Sequence, residues 1–185
     1  KFGTRHYYKC SNCVSIHLAK KDILVGVEEK QRYAMHNNDI EDVKYQKFVS
    51  PIVNQIIKNQ VETDLGLDYG CGPGPVITHL LKEKGFTKIK LYDPYFKPNL
   101  KILEATYHFI ICCEVIEHFV NPKGEFIKLK QLLKSNASFY GKTELLDHDI
   151  DSDTFTQWWY KNDPTHCFFY SKKTLAFIAK QFNFS

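Results

Sequence analysis

Apolar positions along the chain fall into two spacings, and those spacings predict its elements. Phe48, Ile52, Val53, Ile56 and Ile57 recur at helical intervals and predict an amphipathic helix. Leu65-Gly66-Leu67-Asp68-Tyr69 is a short apolar run ending in glycines, which reads as a buried strand. From Pro75 to Lys84, Val76, Ile77, Leu80 and Leu81 share one helix face, and Gly85 stops the helix. Lys88-Ile89-Lys90-Leu91-Tyr92 alternates like a half-buried strand and ends at Asp93-Pro94. Phe109-Ile110-Ile111-Cys112-Cys113 is continuously apolar yet too short for a helix, so it predicts a central strand covered on both faces. Pro122 opens a helix carrying Phe126, Ile127, Leu129, Leu132 and Leu133. A strand over Ala137–Thr143 follows, and an amphipathic helix over Ser171–Phe182 closes the chain. Strand and helix in alternation predict an α/β fold, a mainly parallel sheet with helices on both faces.

Three zones differ in texture. Residues 1–42 are polar and irregular and read as an N-terminal appendage. Residues 43–185 read as one α/β domain, in which roughly 145–170 would form a lid. The lid opens with an acidic run (Asp147, Asp149, Asp151, Asp153), expected to be a solvated loop, and continues through Trp158-Trp159-Tyr160. That aromatic trio would be core beneath the lid, or else a wall for a planar acceptor.

Composition removes several classes. With 185 residues, 43% hydrophobic and 25% charged, the chain has the make-up of a globular domain rather than a disordered or fibrous one. No run approaches the ~18 apolar residues that cross a bilayer, and the N-terminus lacks an apolar leader core, so we expect a cytoplasmic protein without membrane partners. The chain starts on Lys1 rather than Met, and its natural start is expected upstream or removed. The net charge of +4 is spread over scattered lysines. That suits solvated helix and strand faces better than a nucleic-acid footprint, though it does not exclude one.

The candidate chemistry centres on Asp68-Tyr69-Gly70-Cys71-Gly72-Pro73-Gly74, between a predicted strand and a predicted helix. Glycines let the backbone turn sharply and approach a ligand closely. In open α/β sheets that ligand lies beyond the carboxyl ends of the strands. A dinucleotide loop has G-x-G-x-x-G spacing and amides facing a pyrophosphate. Here the spacing is G-x-G-x-G, Asp68 precedes it, and Pro73 and Pro75 remove two amide donors. A carboxylate in this place repels phosphate and suits a ligand with an ammonium and a sulfonium. Asp93 ends the next strand, where a carboxylate can accept both hydroxyls of a ribose, or else merely cap the strand.

Together, Gly66–Gly74, Leu91-Tyr92-Asp93-Pro94 and Cys113-Glu114-Val115-Ile116-Glu117-His118-Phe119 resemble motifs I, II and IV of class I S-adenosylmethionine (SAM)-dependent methyltransferases. The likeness is strongest to a bacterial small-domain group with an E-V-I-E-H element. It runs from about Ile52 to Lys134 and continues weakly through Asp163-Pro164-Thr165-His166 and Tyr170-Ser171. It implies a Rossmann-like sheet and a SAM cofactor. Asp68, Tyr69, Gly70, Cys71, Gly72 and Gly74 would lie against its methionine and ribose parts, Asp93 and Pro94 at the ribose, and Glu114 facing the cofactor. It departs from the pattern between Asp93 and Tyr107, too short for a full helix and strand, where Leu100, Ile102 and Leu103 offer only apolar contact. The family also ends in an antiparallel strand pair, whereas this chain stops at Phe182-Asn183-Phe184-Ser185. We therefore expect a sheet trimmed at its C-terminal strands, or a chain that continues.

Methyl transfer to oxygen or nitrogen needs an aligned nucleophile and a group to take its proton. Glu117, His118 and His166 are the candidates, each also readable as a structural turn residue. The expected reaction is methyl transfer from SAM to a small-molecule acceptor. The rivals are a non-catalytic SAM-binding or zinc-ribbon scaffold and a nucleotide-dependent oxidoreductase. Cys10-x-x-Cys13 has the spacing of half a zinc ribbon, with His6 and His17 beside it. Lacking a second pair upstream, the balance is against bound zinc.

Overall fold

The computed structural model describes residues 5–35, 38–147 and 150–184. Lys1–Thr4, Asp149 and Ser185, which figure in the sequence reading, lie outside them. In chain order the elements are β1 (Tyr7–Lys9), β2 (Ile16–Leu18), α1 (Val27–Ala34), α2 (Val43–Asn59), β3 (Gly66–Tyr69), α3 (Val76–Glu83), β4 (Ile89–Tyr92), β5 (Tyr107–Cys113), α4 (Pro122–Leu132), β6 (Leu133–Lys142), β7 (Leu145–Leu146), α5 (Ser152–Gln157), β8 (Phe168–Ser171) and α6 (Lys172–Phe182). They group into two compact units. One comprises residues 30–115 and 128–142, the other residues 1–29, 116–127 and 143–185.

The first unit holds a sheet of order β4-β3-β5-β6, every neighbouring pair parallel. This is the parallel α/β sheet the alternation predicts, with the Rossmann-like order the resemblance implies. The chain runs outward from β3 to β4, then returns to β5 on the other side. That reversal puts the crevice between the carboxyl ends of β3 and β5. One face of the sheet packs on α2 and α3, with Val49, Ile52, Val53 and Ile56 meeting Val76, Ile77, Leu81, Phe109 and Ile111. Ile110 and Cys112, which alternate to the other face, are fully buried too, so the central strand is covered on both sides.

The apolar stripe of α2 is shifted from the predicted one. Val49 is buried, whereas Phe48 and Ile57 are 39% and 36% exposed. Positions 49, 52, 53 and 56 form the tighter i, i+3, i+4, i+7 set. Phe48 instead offers its ring to the Lys142 ammonium, 3.3 Å from the centroid. Asp42 caps the helix by accepting from the N–H groups of Lys44 and Tyr45.

The second unit holds a smaller sheet, β1-β2-β8-β7, in which the N-terminal hairpin pairs antiparallel with β8. The hairpin of β1 and β2 is thus hydrogen-bonded into a sheet with C-terminal residues. Its core gathers Ile16, Leu146, Ile150, Phe155, Tyr160 and Phe169. The acidic run differs from a plain loop: Asp151 caps α5 by accepting from the Thr154 N–H, and Asp153 lies within that helix. No antiparallel pair extends the larger sheet among the described residues. No helix among them is long and apolar enough to cross a membrane.

Candidate functional site

At the end of β3 the chain turns through Gly70 (φ +80°) and Gly72 (φ +62°), a region where a side chain is strained. Gly70 comes close to Val115, and a Cβ there would lie 2.6 Å from a methyl carbon of that residue. Gly74 has ordinary φ but no room. A Cβ at that position would fall on the Asn38 carbonyl oxygen, and one at Gly72 would lie 2.9 Å from Asn38 Nδ2. The glycines therefore serve two needs, a tight turn and the close approach of Asn38. Nothing in the sequence pattern pointed to Asn38, because the contact joins segments more than 30 residues apart.

Asp68 is buried beside this loop and accepts a hydrogen bond from Thr78 Oγ1 at 2.7 Å. Burial, the dominant cause, pushes its pKa up to about 6; the Thr78 hydroxyl opposes the shift and Asp93 adds to it. Tyr69 is buried, its hydroxyl 3.1 Å from the Lys128 ammonium. Burial, followed by the charges of Asp68 and Asp93, pushes the Cys71 thiol up to about 12, so it stays protonated.

Asp93 ties the loop to β4. Its Oδ2 accepts from the Gly72 N–H at 3.0 Å, and its Oδ1 from the N–H groups of Tyr95 and Phe96 at 2.8 and 2.9 Å. A ribose diol would have to share those oxygens with three backbone amides. Pro94 is exposed in the turn that follows. Glu114, just past β5, has φ +53°, an uncommon conformation for a residue with a side chain and one that concentrates at functional sites. Its carboxylate meets Lys142 Nζ at 3.3 Å.

The remaining candidates fall in the other unit and there come together. Glu117 is wholly buried, and its Oε1 accepts from the Tyr160 hydroxyl. His118 Nδ1 lies 3.1 Å from the Thr165 carbonyl oxygen, and His166 Nδ1 lies 2.7 Å from that of Tyr160. The two rings meet edge to face, their centroids 4.8 Å apart. The three are separate candidates in the sequence, and the fold makes them one cluster. Tyr160, expected as a core or wall aromatic, organises two of them.

Cys10 and Cys13 sit on the turn between β1 and β2. The backbone closes through Cys10 N–H to Ser15 O and Val14 N–H to Cys10 O, with Val14 at φ +56°. The N–H groups of Cys13 and then Asn12 hold the Cys10 thiol below its usual pKa. His6 instead engages Asp22 at 3.0 Å, and the His17 ring stacks on Phe168. Among the described residues the one group of three or more converging metal-type ligands is Glu117, His118 and His166. Trp159 is 66% exposed and, with Trp158, Asp153, Thr154 and Gln157, lines a shallow hollow of about 390 Å³.

A parallel sheet with a glycine turn and a buried acid at its switch point defines an α/β protein of Rossmann-like type. Residues 42–185 match a family described as "Methyltransferase domain", and the chain belongs to that family. The resemblance read from the sequence is borne out at this level. Among solved structures the fold is similar to CalO1, a methyltransferase in calicheamicin biosynthesis in its S-adenosylhomocysteine (SAH)-bound form, with 8% identity and a TM-score of 0.47. It is also similar to coclaurine N-methyltransferase bound to N-methylheliamine and SAH, with 15% identity and a TM-score of 0.45. These alignments cover 82% and 83% of this chain, which spans about half of each matched chain, 54% and 55%. No curated protein matches.

Proposed function

We propose that this protein transfers a methyl group from SAM to a small-molecule acceptor. One observation carries the reading. A buried carboxylate, Asp68, stands beside a loop whose glycines expose bare backbone, at the switch point of a sheet belonging to a methyltransferase family. A negative charge away from water attracts an ammonium or sulfonium strongly and repels a diphosphate. SAM carries both cations, and NAD carries the diphosphate.

In this reading Tyr69, Gly70, Cys71, Gly72 and Gly74 form the floor under the cofactor, Asp68 answers its positive charge, and Asp93 holds Gly72 in place while sharing Oδ2 with the ribose. Pro94 fixes the turn beyond. Glu114, held by Lys142, faces the cofactor from the end of β5. The sulfonium is an activated leaving group, so in-line alignment supplies much of the catalysis. Activation of the acceptor is assigned to Glu117, His118 and His166. With Nδ1 of each ring against a carbonyl oxygen, Nε2 is the atom able to take a proton. Residues 1–42 and the lid at 145–170 serve acceptor selection, and the protein acts in the cytoplasm without a membrane partner.

Calorimetric titration with SAM, SAH and NAD tests the proposal, followed by methyl-transfer assays across hydroxyl-, amine- and thiol-bearing acceptors. SAM and SAH should bind at one site per chain, and His118→Ala should spare binding while slowing transfer. Binding of NAD alone would overturn the reading. SAM binding with no transfer to any acceptor would favour a scaffold.

A further inference from the structure

Glu117, His118 and His166 are arranged more narrowly than proton transfer requires. A backbone carbonyl can only accept, so Nδ1 of His118 and Nδ1 of His166 both carry protons, donated to Thr165 O and Tyr160 O. In the neutral form of such a ring the lone pair is at Nε2. Rings anchored in this way through one nitrogen commonly bind metal ions through the other. The third member is a carboxylate: Glu117 Oε1 stands 4.0 Å from His118 Nε2 and is oriented by the Tyr160 hydroxyl. One ligand atom from each of the three lies within 4.8 Å of the others. Ligands ~2.1 Å from a common cation stand roughly 3–4 Å apart, so a contraction of about 1 Å closes the set.

We propose that Glu117, His118 and His166 bind one divalent transition-metal cation. Two imidazole nitrogens and one carboxylate oxygen suit manganese, iron, cobalt, nickel or zinc, whereas calcium and magnesium favour oxygen ligands. A nearby thiol does not compete. Cys167 Sγ donates to the Glu117 carbonyl oxygen instead. Three protein ligands leave positions open for water or for an oxygen of the acceptor, as in catalytic sites rather than closed structural ones. The inference rests on the reading above and deepens it: Nε2 of both rings ligates the cation instead of taking the proton itself. A hydroxyl bound there becomes more acidic and passes its proton to water, so the acceptor class narrows to molecules with an oxygen donor.

The test uses no turnover. Metal-free protein, prepared by dialysis against EDTA, is titrated with Co²⁺ and followed by visible absorption and calorimetry. One Co²⁺ per chain should bind, with d–d bands and no sulfur-to-cobalt charge-transfer band. Affinity should fall at least tenfold in Glu117→Gln, His118→Ala and His166→Ala, since losing even an orienting partner costs about 10–100-fold. The double variant Cys10→Ser, Cys13→Ser should bind Co²⁺ at this site as the wild type does. Should a buried variant fail to fold, proton NMR of the wild-type Co²⁺ form decides. It should show two shifted, exchangeable imidazole N–H signals, from Nδ1 of His118 and His166. Absence of binding, loss of binding only in the cysteine double variant, or absence of those signals would overturn the proposal. SAM titration of the metal-free protein reports the methyl-transfer reading separately, so either can fail alone.

Discussion

Burial sets the pKa of Asp68 at about 6, against 3.8 when unperturbed. The folded state therefore holds the proton more tightly than the unfolded chain does, and stability from this group is greatest below pH 3.8. It declines as pH rises to about 6 and stays lower beyond. At neutral pH, Asp68→Asn should stabilise the ligand-free protein by on the order of 2–3 kcal/mol, read as a higher Tm. Thr78 can still donate to the amide oxygen. The same variant should bind SAM poorly. For the wild type, SAM affinity should rise about tenfold per pH unit up to a pH near the Asp68 pKa and then level off, by calorimetry. A flat profile would detach the cofactor from Asp68. Gly74→Ala is a second test at this scale. Its methyl group would displace the Asn38 carbonyl, so Tm should fall without any ligand, by about 1–3 kcal/mol of stability. Substitution at Gly72 is a poorer probe of the cofactor, because positive φ and Asn38 penalise it in any case.

Among the elements, α2 carries its own repair. Pro51 lies inside the helix and has no N–H for the carbonyl of Lys47. Ser50 Oγ donates to that carbonyl at 2.8 Å instead. Pro51→Ala should restore the backbone bond and raise stability by about 1–2 kcal/mol, part of the gain being offset by a more flexible unfolded chain. Thermal unfolding measures it, and no gain would mean that Ser50 already compensates fully. Helix α6 shows the complementary case. Ser171 and Thr174 form a reciprocal capping box, and both hydroxyls also donate to the Cys13 carbonyl oxygen. The cysteine turn is thereby held by the start of α6, whatever the thiols bind. Ser171→Ala should cost about 1 kcal/mol in the same measurement.

For the molecule as a whole, cofactor binding should appear as stability. SAH at about 100 times its Kd should add roughly 2.7 kcal/mol, seen as a rise in Tm that grows with concentration. Asp68→Asn should show a much smaller rise. The same experiment with NAD should leave Tm unchanged. The composition of the two units bears on how such data are fitted. One contains the parallel sheet and glycine loop, and the other the mixed sheet and the His-His-Glu cluster. Transitions that differ between probes of the two would reveal separate unfolding, and a single Tm would then be poorly defined.

Local pattern by itself determined the order of strands and helices in the parallel sheet, the buried central strand and the glycine loop with its acid. Each follows from side-chain periodicity or from backbone freedom within a few residues, so a short window of sequence carries it. The register of α2 was offset by one position, since Phe48 is as apolar as Val49 and only packing separates them. Tertiary structure alone decided the rest. It placed Asn38 against Gly72 and Gly74, gave the oxygens of Asp93 to three amides, and paired the N-terminal hairpin with β8. It also joined Glu117 and His118 to a histidine 48 positions further along. Contacts of that kind join segments far apart in the chain, and residue spacing holds no trace of them until the backbone has folded.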